Sequence, residues 1–103
     1  MKYQPFTLGQ WSVKVGMQEV FIAEWKAFAE WTTSNQAGAG VAYLLQNRER
    51  PQKFVSFGPW DNLAVIHAWR ERPEFKAFVQ KVKPLCEDFQ PQTLHVVAQS
   101  SRE

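Results

Sequence analysis

The sequence predicts a single α+β domain of the ferredoxin-like type, βαββαβ, with one antiparallel sheet and helices packed on one of its faces. Two observations support this fold class. Four segments have the alternation or the β-rich composition of strands, and two others carry apolar residues in steps of three and four, as helices do. These segments follow one another in the order βαββαβ. A chain of 103 residues is long enough for one core, so we assign residues 1–103 to one domain, with residues 1–8 as an N-terminal arm and residues 100–103 as a tail.

The first strand is predicted over residues 9–15, where Trp11, Val13 and Val15 share one phase and polar residues share the other. From residue 17 the period changes to that of an amphipathic helix, which is expected to end in the loop-forming run TTSNQAGAG. The apolar stripe of this helix consists of Met17, Phe21, Trp25 and Phe28.

The next two strands form a predicted hairpin around the charged turn at residues 47–52. Both strands are apolar in both phases: in KFVSFGPW, Phe54 lies in one phase, whereas Val55 and Phe57 lie in the other. A solvated outer face would be polar in one phase. We therefore expect an apolar partner to cover this face, and a second copy of the chain, giving a homodimer through the sheet, is the simplest one.

The second helical region follows the hairpin, with Asp61 or Asn62 as its N-cap and an interruption at Pro73. Its restart gives a long predicted stripe, with Cys86 at the edge and a kink or stop near Pro84. The last strand is predicted over residues 92–99. The stripe consists of Phe75, Phe78, Val79, Val82, Leu85 and Phe89.

Charge and cysteine content restrict the class of protein. The net charge is +2, and basic residues alternate with acidic ones, so the basic stripe of a nucleic-acid-binding protein is missing. No run approaches the ~18 apolar residues of a membrane span, and the N-terminal residues do not resemble a signal peptide. With one cysteine, no disulfide forms within the chain. We therefore expect a cytoplasmic protein with neither a nucleic-acid nor a membrane partner.

Aromatic residues make up 15% of the chain, including five tryptophans. So much ring surface predicts an aromatic core, a ligand pocket or a subunit interface. No His, Cys, Asp or Glu cluster has metal-ligand spacing, and no phosphate-binding loop is present in the sequence. The arginines Arg48, Arg50, Arg70 and Arg72 are interpreted as solvated, although one of them could bind a substrate acid.

Three motifs together resemble the antibiotic biosynthesis monooxygenase (ABM) family over residues 9–99: VKVG before the first helix, FVSFGPW in the third strand and AWRERPEF in the second helical region. The resemblance implies a dimeric α/β barrel. It leaves the reaction open, because some members oxidise aromatic polyketides with molecular oxygen and no metal, flavin or haem. Others degrade haem, and others are decarboxylases, isomerases or proteins of unknown role.

The resemblance also implies two site patterns. In the haem-degrading pattern of Asn, Trp and His, the Asn position falls near Gly9, and the other two fall on Trp69 and Val79. Haem degradation is therefore disfavoured. The cofactor-free oxygenase pattern is matched by Trp60 at the end of the third strand. Its Asn, Tyr and Arg positions fall on Ser56, Ile66 and near Gln80.

We therefore predict a cofactor-independent monooxygenase that acts on a small aromatic or polyketide-like substrate, without a metal. The predicted catalytic residues are Trp60 and His67, a candidate general base whose alternative is a partly exposed helix residue. The alternatives are a non-catalytic dimeric ligand-binding domain and an isomerase or decarboxylase with His67 or His95 as its base. The predicted substrate-binding residues are Ser56, Tyr43, Trp69, Trp11 and His95.

Overall fold

The computed structural model describes residues 3–102. Its four strands form one antiparallel sheet in the order β2-β3-β1-β4, and the helices pack on one face of it. The predicted ferredoxin-like α+β fold is therefore confirmed. The elements are β1 (Pro5–Val13), α1 (Gln18–Asn35), β2 (Tyr43–Gln46), β3 (Lys53–Pro59), α2 (Leu63–Glu71), α3 (Pro73–Val82), a 3₁₀ turn (Lys83–Leu85) and β4 (Cys86–His95).

Strand β1 begins earlier than the sequence pattern predicts. Residues 5–8, assigned to the N-terminal arm, are part of β1, and Phe6 pairs with both Pro59 of β3 and Leu94 of β4. Pro5 is compatible with this position because it is the first residue of the strand, where a missing N–H group is tolerated. Residues 1, 2 and 103 of the predicted arm and tail lie outside the described residues.

The prediction that the second helical stripe extends to Phe89 is wrong. Helix α3 stops at Val82, Leu85 lies in the 3₁₀ turn, and Cys86 begins β4. Pro84 lacks the N–H group that a continuing helix would need, so the chain turns into a strand. Phe89 then pairs with Trp11 of β1, and β4 occupies residues 86–95 instead of the predicted 92–99.

The predicted cap and break of the second helical region are confirmed. The Asn62 side chain accepts a hydrogen bond from the Val65 N–H at 2.9 Å, and α3 restarts with Pro73 as its first residue. Arg72, at the break, lies 4.7 Å above the Trp31 ring and donates to the Asn35 carbonyl at 3.0 Å. The Arg72 side chain thus joins the α2–α3 break to α1, whereas the sequence predicted that it would be solvated.

The core lies between the sheet and helices α1 and α3. Phe21 of α1 is fully buried, with its ring centroid 4.9 Å from that of Trp11 and 5.3 Å from that of Phe54. This aromatic contact joins the first helix to the two central strands. The buried cluster consists of Trp11, Val13, Phe21, Phe54, Phe78 and Val82.

The face of the sheet away from the helices is also apolar over β2, most of β3 and the start of β1. Antiparallel partners point to the same face, and the pairs Leu45–Val55 and Tyr43–Phe57 alternate with the core-facing pairs. Tyr43 and Leu45 are 54% and 50% exposed, so this outer face is open to solvent in the single chain. Its apolar members are Phe6, Leu8, Tyr43, Leu45, Val55, Phe57 and Leu94.

The helices within residues 3–102 are all too short or too polar to cross a membrane.

Candidate functional site

A cavity of about 540 Å³ lies between the inner face of the sheet and the helices. This volume is within the range of about 300–1,000 Å³ that is usual for small-molecule sites. Strands β1, β3 and β4 supply its floor, and α1, α2 and α3 supply its walls. Four of the five tryptophans line it, namely Trp11, Trp25, Trp60 and Trp69.

Trp60 is held at one end of this cavity by the backbone. It follows β3 directly, and its N–H donates to the Pro5 carbonyl at 2.9 Å, which joins the end of β3 to the start of β1. The Trp60 side chain is buried, and its ring centroid is 4.6 Å from that of Trp69 on α2. Two large rings therefore meet where the sheet faces the second helical region.

Each of three cavity tryptophans donates its indole N–H to a hydroxyl group on another element. These N–H groups are therefore already paired. A hydroxyl that accepts a hydrogen bond can still donate its own proton, so the hydroxyls remain available as donors to a ligand. The pairs are Trp11 to Ser56 at 3.0 Å, Trp60 to Thr7 at 2.9 Å and Trp69 to Thr32 at 3.1 Å.

The cavity has one charged lining residue, Arg70 of α2, whose guanidinium donates to the Thr93 hydroxyl at 3.1 Å. Within the described chain, the lining contains no Asp, Glu, His, Lys, Cys or Tyr. The polar groups of the cavity are therefore mainly hydrogen-bond donors, and it offers no side chain that could act as a general base at neutral pH.

Gly9 makes room for the cavity floor. A β-carbon placed there would lie 2.9 Å from atoms of Phe89, Ser56 and Trp11. Without that carbon, the Trp11 ring stacks on Phe89 with a centroid separation of 3.8 Å and reaches the Ser56 hydroxyl. A side chain at this position would disturb both contacts.

The structure brings four predicted site residues together, since Trp60, Ser56, Trp69 and Trp11 all line the cavity. Their roles in binding or catalysis remain predictions.

Tyr43, His67 and His95 lie outside the cavity lining. Tyr43 is on the outer face of the sheet, where its ring stacks on Phe57 at 5.6 Å. His67 is exposed on α2, one residue after the buried Ile66. His95 is exposed at the end of β4, where its ring lies 5.3 Å from that of Tyr3. The sequence placed these side chains near the apolar stripes, but the helix rotation and the strand register direct them elsewhere.

The sequence analysis missed the cavity threonines. Thr7 shares a strand phase with Gly9 and Trp11, a signal hidden by the assignment of residues 1–8 to an arm. Thr32 follows Phe28 by four residues and so continues the buried stripe of α1. Thr93 faces the cavity because it pairs with Thr7 across β1 and β4, and that register could not be read from the sequence.

Two other candidate chemistries receive no support from the geometry. Among residues 3–102, no group of three or more His, Cys, Asp or Glu side chains could hold a metal ion. Cys86 is half-buried at the start of β4 and does not line the cavity. Burial raises the pKa of the Cys86 thiol, against a smaller lowering by the positive charge of Lys14, so the thiolate needed for nucleophilic attack is disfavoured.

Comparison with known proteins identifies related sequences and folds. The family model for antibiotic biosynthesis monooxygenases matches residues 6–81. No functionally curated protein matches the chain.

Solved structures are similar over nearly the whole chain. A candidate antibiotic biosynthesis monooxygenase from Deinococcus radiodurans has a TM-score of 0.84 at 16% identity, covering 96% of this chain and 98% of that chain. A protein from Shewanella oneidensis has a TM-score of 0.82 at 21% identity, and the match covers 93% of each chain. A candidate antibiotic biosynthesis monooxygenase from Nitrosomonas europaea has a TM-score of 0.80 at 17% identity, and the match covers 93% of this chain and 90% of that chain. At these identities the similarity demonstrates a shared fold.

Proposed function

Because the chain belongs to the antibiotic biosynthesis monooxygenase family, we propose that it is a cofactor-independent monooxygenase that uses molecular oxygen on a small aromatic or polyketide-like substrate. The observation that carries this proposal is the cavity of about 540 Å³ with four tryptophans in its lining. Ring faces of this kind bind a planar substrate and exclude water from it. The resemblance to the family makes Trp60 the first catalytic candidate, and its position in the cavity lining supports that role.

The hydroxyl donors of the cavity suit the chemistry of an anthrone-type substrate. Loss of a ring proton gives a carbanion whose negative charge is shared with the ring oxygen. Thr7, Ser56 and Thr32 can each donate a proton to such an oxygen, because each accepts an indole N–H and keeps its own O–H free. Since no lining side chain is a base, the substrate proton passes to water.

The oxidation then needs only substrate and oxygen. The carbanion gives one electron to molecular oxygen, and the resulting radical and superoxide combine to form a carbon–oxygen bond. After protonation, the peroxide loses water and leaves a new carbonyl group. The protein contributes by orienting the ring and by stabilising the oxyanion with donors already in place.

The test is oxygen uptake by purified, metal-stripped protein with the anthrone dithranol and no added cofactor. The Trp60→Phe variant should lower the rate about tenfold, which corresponds to about 1.4 kcal/mol in the activation barrier. The substrate would lose part of a ring wall, and the Thr7 hydroxyl would lose the indole N–H that orients it. Trp31→Phe is the matched control, since Trp31 is the tryptophan outside the cavity lining. Equal rates in both variants and the wild type would contradict the role of Trp60.

A non-catalytic ligand-binding domain is the second candidate, and the lack of an acid–base side chain in the lining favours it. A folded wild-type protein that binds dithranol but consumes no oxygen would select it. An isomerase or decarboxylase would need His67 or His95 as its base, and both lie outside the lining.

Haem degradation fits the cavity poorly. Val79, at the position of the expected histidine, lines the cavity but has no atom that ligates iron. The expected asparagine falls near Gly9, which has no room for a β-carbon.

We propose that the protein forms a homodimer through the outer face of the sheet. That face is apolar over β2, most of β3 and the start of β1, with Leu94 beside them on β4. Its exposed members Tyr43, Leu45 and Leu94 would lose contact with water in such a dimer. Burial of apolar area stabilises by about 25 cal/mol per Å², which favours pairing of two such faces. The isologous arrangement is the commonest for a dimer.

The Leu45→Glu variant should dissociate this dimer, because two copies would place carboxylates in an apolar interface. Sedimentation velocity should show the mass of two chains for the wild type and of one chain for the variant. Ile22→Glu is the control, since Ile22 is an exposed apolar residue on α1, away from the outer face. A dimeric Leu45→Glu variant, or a monomeric wild type at micromolar concentration, would refute the interface.

We also propose a cytoplasmic location. The single cysteine leaves the fold without an internal disulfide, as is usual for proteins of a reducing compartment. Fractionation of cells that express the tagged full-length chain would test this.

A further inference from the structure

Arg70 marks the polar end of the cavity. Its guanidinium donates to the hydroxyl of Thr93, and Thr93 is the cross-strand partner of Thr7 on the inner face of the sheet. The Thr7 hydroxyl in turn accepts the indole N–H of Trp60. Arg70, Thr93, Thr7 and Trp60 therefore converge on one end of the cavity.

The positive charge of Arg70 is not compensated by the protein. The ion pairs within residues 3–102 join Arg72 to Glu74 and Lys81 to Glu24, and no carboxylate lines the cavity. Arg70 is half-buried. Because a guanidinium is charged at all physiological pH values, the cavity permanently presents one cation beside apolar rings.

The uncharged polar side chains of the cavity also favour a ligand that accepts hydrogen bonds. The hydroxyls of Thr7, Thr32, Ser56 and Thr93 each accept a hydrogen bond from an indole or guanidinium N–H. Within the described residues, none of the four donates to a protein acceptor, so their protons are free for a ligand. A ligand that suits this set is rich in acceptors and carries negative charge.

We propose that the cavity selects flat aromatic ligands that bear an anionic oxygen, either a carboxylate or an ionised phenol, and that Arg70 binds this oxygen. The inference rests on the proposed function in so far as the ring of the substrate occupies the same cavity. The ring lies among Trp25, Phe28 and Phe78, and the anionic oxygen points to the end formed by Arg70 and Thr93. Arg is suited to this role because its planar fork binds a carboxylate through two hydrogen bonds.

Isothermal titration calorimetry at pH 8 tests the preference with three probes of similar shape. These are 2-naphthoate as the carboxylate, 4-nitro-1-naphthol as the ionised phenol and 2-naphthamide as the neutral analogue. The wild type should bind at least one anion about tenfold more tightly than the amide, as is typical of a charge-assisted hydrogen bond. The two anionic arms distinguish a carboxylate ligand from a phenolate ligand.

Arg70→Gln should remove this tenfold preference while changing the affinity for 2-naphthamide less than twofold. Arg70→Lys, which keeps the charge but loses the planar fork, should fall between the two. Arg48→Gln is the matched control, because it removes an equal charge from the exposed β2–β3 loop and should leave all three affinities unchanged.

Equal binding of the anions and the amide by the wild type would overturn the inference, as would equal losses in Arg70→Gln and Arg48→Gln or no binding of either anion. Oxygen uptake with the neutral substrate dithranol separates this inference from the proposed function. Uptake without an anion preference would overturn the ligand class and leave the oxygenase intact. An anion preference without oxygen uptake would support the anionic ligand class and indicate that the protein is a non-catalytic binding domain.

Discussion

Gly9→Ala is expected to lower the free energy of unfolding by about 1–3 kcal/mol, the usual range for overpacking a core. The added β-carbon would lie 2.9 Å from Phe89, Ser56 and Trp11. The Trp11 ring would have to leave its stack on Phe89 or lose its hydrogen bond to Ser56. Urea unfolding measures the stability, and near-UV circular dichroism reports the environment of the tryptophans.

The same substitution should weaken binding of a flat ligand, because Trp11 forms part of the cavity lining. Gly16→Ala is the control, since Gly16 has a positive φ of 84° but open space around the new carbon. We expect Gly16→Ala to cost about 1 kcal/mol through backbone strain alone and to leave ligand affinity unchanged. A Gly9→Ala protein with wild-type stability and dichroism would show that the cavity floor adapts freely.

Phe21→Ala should have the largest effect on stability, a loss of about 3–5 kcal/mol. The Phe21 side chain is fully buried and contacts the rings of Trp11 and Phe54, so its removal leaves a hole where α1 meets the two central strands. This is a large fraction of the roughly 5–15 kcal/mol that stabilises a domain. Urea unfolding should therefore show a much lower midpoint with a similar slope.

Ile22→Ala is the matched control on the neighbouring residue. Ile22 is 37% exposed, and the substitution should lower the free energy of unfolding by only about 1 kcal/mol, because the Ile22 side chain is in part already in contact with water. If Phe21→Ala were no worse than Ile22→Ala, the core of the molecule would not lie where the aromatic contacts place it.

The positions of several site residues follow from local pattern. Trp60 was found because a third strand with the motif FVSFGPW must end near it, and Ser56 shares its phase with Phe54, which faces the core. Trp69 follows the buried Ile66 by three residues on one helix face. Such short-range periodicity is decided by local backbone geometry, which the sequence carries directly.

Other site residues depend on pairing between distant parts of the chain. The spacing of apolar residues through residues 75–89 is compatible with one long helix. Phe89 lies in a strand instead, because there it pairs with β1 and its ring stacks on Trp11. The cavity position of Thr93 follows from the β1–β4 register, and that of Arg70 from how α2 lies against β4.

By itself, the sequence determined the order of strands and helices, the hairpin that is apolar on both faces and the high aromatic content of the chain. These follow from periods of two and of three to four residues and from residue type. The tertiary structure alone decided that both histidines lie outside the cavity and that hydroxyls and Arg70 supply its polar groups. The physical reason is that a side chain's environment depends on which distant element packs against it. The β1–β4 pairing joins the two ends of the described chain, and the position of Arg70 depends on how α2 lies against β4.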